Sequence, residues 1–175
     1  MVKLVTAACV AVSIPVLTFA ASLAAQRPTI SGTFRLVVEQ SDNLDGAIEA
    51  AIAPMNFVIR PFARRRLRKI TTLHPTMVIK ATADTVEVIA EPHAPIRTAV
   101  NGTPILWRRE DGEPFTVTGV WDGAVFQHTF VSGTGRRVNR YSLSTDGQTL
   151  TVRVVITGGG LPGAMPYTIV YKRVS

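Results

Sequence analysis

In residues 75–175, apolar and polar residues alternate in short runs that are separated by turn-forming residues. In one such run Phe115 and Val117 fall on one side, while Thr116 and Thr118 fall on the other. A period of two is typical of a β-strand with one face on a core. Asp-Gly pairs, which favour tight hairpin turns, follow three of the runs. These pairs are Asp111-Gly112, Asp122-Gly123 and Asp146-Gly147.

Regular spacing of these runs favours an up-and-down antiparallel meander that closes into a small barrel. A sandwich fits less well, because its Greek-key crossovers need longer connections. We therefore expect a mainly β fold with about eight or nine strands. The runs are residues 32–38, 77–81, 85–90, 105–109, 115–121, 124–131, 137–144, 150–156 and 167–174.

The pattern changes to a helical period after the first strand. Apolar residues recur three and four positions apart behind the segment 41–43, whose Ser, Asp and Asn favour a helix start. A second helix is expected over residues 61–72, with a proline in its first turn. We predict two short helices at about 43–72, inserted into a single barrel domain of residues 26–175.

The N-terminus has the pattern of an export signal. Lys3 provides a positive charge, residues 4–21 carry none, and small residues cluster immediately afterwards. We interpret residues 1–25 as a cleaved secretory signal peptide, which predicts a periplasmic or secreted protein. An uncleaved anchor helix is the alternative, because the apolar run approaches the length that spans a bilayer.

Composition argues against several kinds of catalytic site. The one cysteine, Cys9, lies in the predicted signal peptide, so the mature chain has neither a disulfide nor a thiol nucleophile. The three histidines lack the spacing of a metal-binding pair, and no Gly-x-Ser-x-Gly motif is present. We expect no metal, no cofactor and no catalytic residue.

Six basic residues cluster within ten positions of the second predicted helix. Removing Lys3 from the 19 basic residues leaves 18 against 12 acidic ones, so the cluster equals the whole positive excess of the mature chain. Either it is a solvated face balanced by distant carboxylates, or it contacts anionic lipid headgroups or glycan. Nucleic acid is not expected, because aromatic residues are not interleaved with the basic ones. The six are Arg60, Arg64, Arg65, Arg66, Arg68 and Lys69.

Aromatic residues on the strands are the best candidates for a binding site. A barrel of about eight strands either fills its interior with side chains or holds one ligand. Small-molecule sites are apolar pockets with a few polar anchors, here His128, Arg140 and Tyr141. Because Arg140 and Tyr141 are adjacent, a regular strand points only one of them inward. The candidate ligand-binding residues are Trp107, Trp121, Phe126, His128, Phe130, Arg140 and Tyr141.

Three segments carry a resemblance to known proteins: SGTFRL at 31–36, YSLSTDGQTLTV at 141–152, and 167–173 with its VYKR ending. They resemble a group of uncharacterised secreted β-rich proteins of soil bacteria. The first segment is also similar to the Gly-x-Trp opening strand of lipocalins, with Phe34 in place of the tryptophan. This resemblance implies a calycin-like barrel and an exported location, and it carries over no catalytic residues.

Three functions stay open at this point. The first is an exported, lipocalin-like barrel that binds a lipid or another apolar small molecule. The second is a non-enzymatic cell-envelope interaction protein with a filled barrel, whose Arg-rich helix contacts anionic lipid or glycan. The third is an enzyme working inside the barrel, for which His128 is the best candidate residue. The volume enclosed between sheet and helices separates the first two.

Overall fold

A computed structural model of the protein describes residues 30–174. The predicted signal peptide therefore lies outside the described residues. Ten strands and two α-helices follow one another, with a short 3-10 helix at Val38–Gln40. In chain order they are β1 (Gly32–Leu36), α1 (Leu44–Ile52), α2 (Arg60–Ile70), β2 (Thr76–Ala81), β3 (Thr85–Ile89), β4 (Ile96–Ala99), β5 (Ile105–Arg108), β6 (Pro114–Asp122), β7 (Val125–Val131), β8 (Gly135–Leu143), β9 (Thr149–Gly158) and β10 (Met165–Arg173).

All ten strands belong to one antiparallel sheet in which neighbours in sequence are neighbours in space. The exception is β1, which pairs with both β2 and β10, so the first and last strands join and β4 and β5 form the two edges. An isolated bridge pairs Asn101, which follows β4, with Val120 on β6. The result is a nearly closed barrel with two short helices after the first strand. The predicted fold class is confirmed.

The structure has ten strands, whereas about eight or nine were predicted, and β4 is the strand that the sequence pattern missed. It has only four residues, Ile96–Ala99, and it follows the segment Pro92-His93-Ala94-Pro95. Prolines mark loops and edge strands, and four residues show too little alternation to identify a strand. Pairing with β3, for example Thr98 with Val86, is what makes this segment a strand.

The barrel core consists of the inward residues of nearly every strand. Phe34, Phe126, Tyr141 and Tyr171 are almost fully buried and belong to one apolar cluster. The buried stripe of α1 extends this cluster beyond the sheet. Asn43 caps α1, because its side chain accepts a hydrogen bond from the Gly46 backbone N–H at 3.2 Å. Within residues 30–174, no helix is long and apolar enough to cross a bilayer.

Gly119 on β6 permits β4 to approach closely where the barrel closes. A Cβ atom there would lie 2.1 Å from the Thr98 Oγ1 atom and 3.0 Å from the Ala99 carbonyl oxygen. With only hydrogen at this position, the Thr98 hydroxyl reaches the His128 Nε2 atom at 2.9 Å. A glycine in a strand thus marks a close approach of two backbones.

Candidate ligand-binding cavity

Helix α2 covers one end of the barrel and encloses with it a cavity of about 330 Å³. The floor and walls come from the strands, and the rim comes from the turns at that end. The volume lies at the lower end of the range of small-molecule sites, about 300–1,000 Å³. Most of the lining is apolar. Its larger apolar side chains are Met55, Leu67, Ile70, Met77, Val88, Ile96, Trp107, Phe115, Phe130, Tyr141, Ile156 and Leu161.

Polar contacts attach α2 to three turns of the barrel. Lys69 Nζ lies 2.8 Å from the Asp111 carboxylate in the β5–β6 turn. Arg66 donates to the Thr134 hydroxyl in the β7–β8 turn at 2.6 Å and to the Gly159 carbonyl in the β9–β10 turn at 3.4 Å. The helix therefore forms a roof over the cavity, and an ion pair and hydrogen bonds at the protein surface hold it in place.

Arg137 is a cation in the cavity wall that forms hydrogen bonds with uncharged groups. Its Nε atom donates to Asn139 Oδ1 and its Nη1 atom donates to the Ile70 carbonyl, both at 2.8 Å. Asn139 in turn donates to the Tyr141 hydroxyl at 3.1 Å. Burial raises the pKa of Tyr141, so its hydroxyl stays neutral. Among residues 30–174, no carboxylate lies within ion-pair distance of the Arg137 guanidinium.

The cavity as a whole carries excess positive charge. Five basic and two acidic residues line it. Arg109 pairs with both acidic ones, Asp111 at 2.7 Å and Glu113. Hydrogen bonds from Arg109 and Lys69 hold the pKa of Asp111 well below its usual range. The cations left without a carboxylate partner within the described chain are Arg66, Arg136 and Arg137.

Side chains bridge the gap between the edge strands β4 and β5 at the cavity rim. His93 is bonded to Glu110, which also accepts from the Ala94 N–H at 3.1 Å. Trp107 on β5 donates to the Ala94 carbonyl at 3.2 Å. The His74 ring lies 4.7 Å from that of His93, and its pKa is lowered, mainly by burial. Both histidines are partly buried and line the cavity.

The seven candidate residues lie in three places: the cavity wall, the packed core and the outer face of the barrel. Trp107, Phe130 and Tyr141 line the cavity. Trp121 packs against Phe126 with ring centroids 5.2 Å apart, and both lie outside the lining. The aromatic set of the strands is therefore partly cavity wall and partly packed core.

His128 belongs to the packed core. It is fully buried, its ring lies 4.7 Å from that of Phe126 and 5.8 Å from that of Tyr141, and it does not line the cavity. Burial lowers its pKa to about 3, so the imidazole is neutral. Its bond to Thr98 ties β7 to β4. The best candidate for a catalytic residue thus does not face the cavity.

Arg140, proposed as an anchor, lies on the outer face of the barrel. Its Nη2 atom is 2.8 Å from the Asp122 carboxylate, and its Nη1 atom donates to Gln127 at 3.0 Å. Tyr141 takes the inward position, and alternation then places Asn139 and Arg137 inward as well. Neither residue is among the candidates predicted from the sequence, although their spacing of two and four positions from Tyr141 was a usable signal.

The six basic residues of α2 do not act as a unit. Arg60 and Arg66 donate to backbone carbonyl or hydroxyl oxygens. Arg65 is exposed and has neither an ion pair nor a hydrogen bond within the described residues. Balance by distant carboxylates is therefore correct for half of the cluster: Arg64 pairs with Glu49, Arg68 with Asp45, and Lys69 with Asp111.

No protein-family model and no curated protein matches the sequence. Solved structures match through the fold. A fatty acid binding protein of Schistosoma mansoni, in complex with arachidonic acid, superimposes with a TM-score of 0.53 at 16% identity, covering 85% of this chain and 98% of that one. Fatty-acid-binding protein 1 of Echinococcus granulosus gives 0.51 at 13% identity, covering 83% and 97%. An abundant heat soluble (SAHS) protein of Ramazzottius varieornatus gives 0.57 at 11% identity, covering 82% and 93%.

These similarities establish the class of fold: a calycin-like barrel of the kind seen in fatty-acid-binding proteins. The calycin-like resemblance inferred from the sequence is confirmed at that level. Identities of 11–16% show the fold alone, because one fold carries many functions.

Proposed function

We propose that the protein is an exported barrel that binds a lipid or another apolar small molecule bearing one anionic group. The observation that carries this proposal is Arg137, a cation without a paired carboxylate in the wall of a largely apolar cavity of about 330 Å³. The export step rests on the pattern of residues 1–25.

The physical argument concerns the guanidinium. A partly buried cation loses hydration and gains from a charge-assisted hydrogen bond to an anion. The apolar lining favours a ligand whose remaining surface is hydrocarbon. Fatty-acid-binding proteins that share this barrel support a lipid as the ligand class.

The alternative function was an interaction protein with a filled barrel. The cavity beneath α2 favours the first function, because a filled barrel would leave no such volume. The membrane contact that this alternative assigned to the basic helix does not depend on whether the barrel interior is filled.

A pair of fluorescent probes tests the proposal. Anilinonaphthalene sulfonate is apolar with one anionic group, and N-phenylnaphthylamine has the same ring system without the charge. We expect both to bind, and we expect Arg137→Met to weaken only the sulfonate, by about 10–100-fold, the worth of a charged hydrogen bond. Arg140→Met, on the opposite face of the same strand, is the matched control and should change neither affinity.

Retained binding of the neutral probe shows that Arg137→Met still folds. Failure of both probes to bind the wild-type protein would contradict the proposal. An equal loss of sulfonate binding in the two variants would show that Arg137 is no specific anchor. Native mass spectrometry of protein recovered after export complements this test, because an extra mass that is lost on denaturation identifies the class of ligand.

A further inference from the structure

Four large apolar side chains are exposed together in the α1–α2 connection and the first turn of α2. They are Phe57, Val58, Ile59 and Phe62, which we call the apolar turn, and they are between 47% and 77% exposed. Single exposed apolar residues are ordinary, but a contiguous group marks an interaction surface. Two are phenylalanines, whose burial in an apolar phase is strongly favourable.

Cations without carboxylate partners surround the apolar turn. Arg60 and Arg66 bond only to oxygens of uncharged groups, and Arg65 is exposed and forms neither an ion pair nor a hydrogen bond within residues 30–174. The sequence has no acidic residue between Glu49 and Asp84. Glu49 is already neutralised by Arg64. The surface is therefore apolar at its centre and positive at its rim.

The apolar turn adjoins the roof of the cavity. Phe62 and Arg66 lie four residues apart and share one flank of α2, and Arg66 lines the cavity. Met55 lines it from the connection before the helix. A partner that covers the apolar turn would therefore also lie against α2, the helix that roofs the cavity.

We propose that the apolar turn inserts into the interfacial region of an anionic lipid bilayer, with the neighbouring arginines on the headgroups. Both features then find a suitable environment, the apolar side chains below the headgroups and the cations among anionic phosphates. An anionic glycan would engage the arginines and leave four apolar side chains in water. A second copy of the chain would bring arginine against arginine. This inference rests on the surface and holds whether or not the cavity binds a ligand.

Vesicle flotation tests the insertion. We expect the full chain to bind vesicles of phosphatidylcholine with phosphatidylglycerol, and to bind pure phosphatidylcholine more weakly. The double variant Phe57→Ser, Phe62→Ser should reduce the partition constant at least about tenfold, because two phenyl rings no longer leave water. The matched control is Leu106→Ser, Val131→Ser, which removes two apolar side chains that are 68% and 45% exposed elsewhere on the barrel. It should bind like wild type.

Charge and depth are tested separately. Arg65→Gln should lower binding to anionic vesicles about fivefold, whereas Arg97→Gln on the barrel wall should not. Brominated lipid should quench the added emission of Phe57→Trp. All comparisons use variants of one full chain, so residues 1–25 contribute equally. The proposal is overturned if the wild type does not bind anionic vesicles, if the phenylalanine double variant binds normally, or if Phe57→Trp is not quenched.

Discussion

Replacing Gly119 by alanine tests whether β4 and β6 approach as closely as the structure shows. The added Cβ would lie 2.1 Å from the Thr98 Oγ1 atom, 2.9 Å from the Phe126 ring and 3.0 Å from the Ala99 carbonyl oxygen. Thr98 must move, and its hydrogen bond to His128 then breaks. Overpacking costs about 1–3 kcal/mol, and a buried imidazole nitrogen without its partner costs about 1–3 kcal/mol more. We expect a loss of about 2–6 kcal/mol in the free energy of unfolding.

Urea denaturation followed by tryptophan fluorescence measures this loss, because Trp121 lies two residues away on the same strand. Thermal midpoints should fall by roughly 2–4 °C for each kcal/mol in a chain of this size. Gly133→Ala is the matched control: a Cβ there meets nothing within 4 Å. If Gly119→Ala is as stable as Gly133→Ala, the close approach of β4 to β6 is wrong. In a Thr98→Ala background, Gly119→Ala should cost at least about 1 kcal/mol less, because the nearest clashing atom is gone.

Three further predictions concern the protonation of the buried His128, the volume of the cavity and the ion pair that holds α2 over it. The pKa of His128 is about 3 in the folded protein, against 6.5 for an unperturbed histidine. Between these two pH values His128 binds a proton in the unfolded chain but not in the folded one. The free energy of unfolding therefore falls as the pH is lowered through that range. His128→Gln should remove up to about 1.4 kcal/mol per pH unit of this slope in urea titrations. Val88→Phe should fill part of the cavity and weaken both naphthalene probes about tenfold, whereas Val155→Phe on the outer face should not. Lys69→Gln removes the link to Asp111, and in stopped-flow experiments it should speed probe release with little effect on stability, because exposed ion pairs contribute little.

Each of these has a clear contrary result. An unchanged pH slope in His128→Gln would show that the imidazole is not held neutral by burial. Equal probe affinities in Val88→Phe and wild type would place the bound probe outside the cavity. An unchanged release rate in Lys69→Gln would mean that the β5–β6 turn does not restrain the roof.

Much of the fold could be predicted from the sequence, because strand alternation, turns and caps depend on residues close together in the chain. The three Asp-Gly turns are hairpin connections in the structure, and their glycines have φ values of +84°, +59° and +72°. Such angles favour glycine for steric reasons that act within one residue. The helical insertion at about 43–72 was predictable for the same reason, from helical spacing and an asparagine cap.

The lining of the candidate cavity was only half predictable. Trp107, Phe130 and Tyr141 line the cavity, as their positions on apolar strand faces suggested. Arg137 was missed, because β8 carries charged and apolar residues on both faces and its alternation therefore has no obvious inward side. The histidines of the rim were missed because they lie in connections, where no periodicity predicts their direction.

The sequence by itself therefore determined nine of the ten strands, the two helices and the hairpin turns, since these depend on local sterics and local hydrogen bonding. The tertiary structure decided which face of β8 points inward, that β4 is a strand, and that α2 lies over the end of the barrel. These features depend on pairing between residues far apart in the chain: register against β7 and β9 turns Arg137 inward, and pairing with β3 makes a strand of Ile96–Ala99. A shift of register by one residue would exchange the two faces of β8, so only the assembled sheet places a cation in the cavity wall.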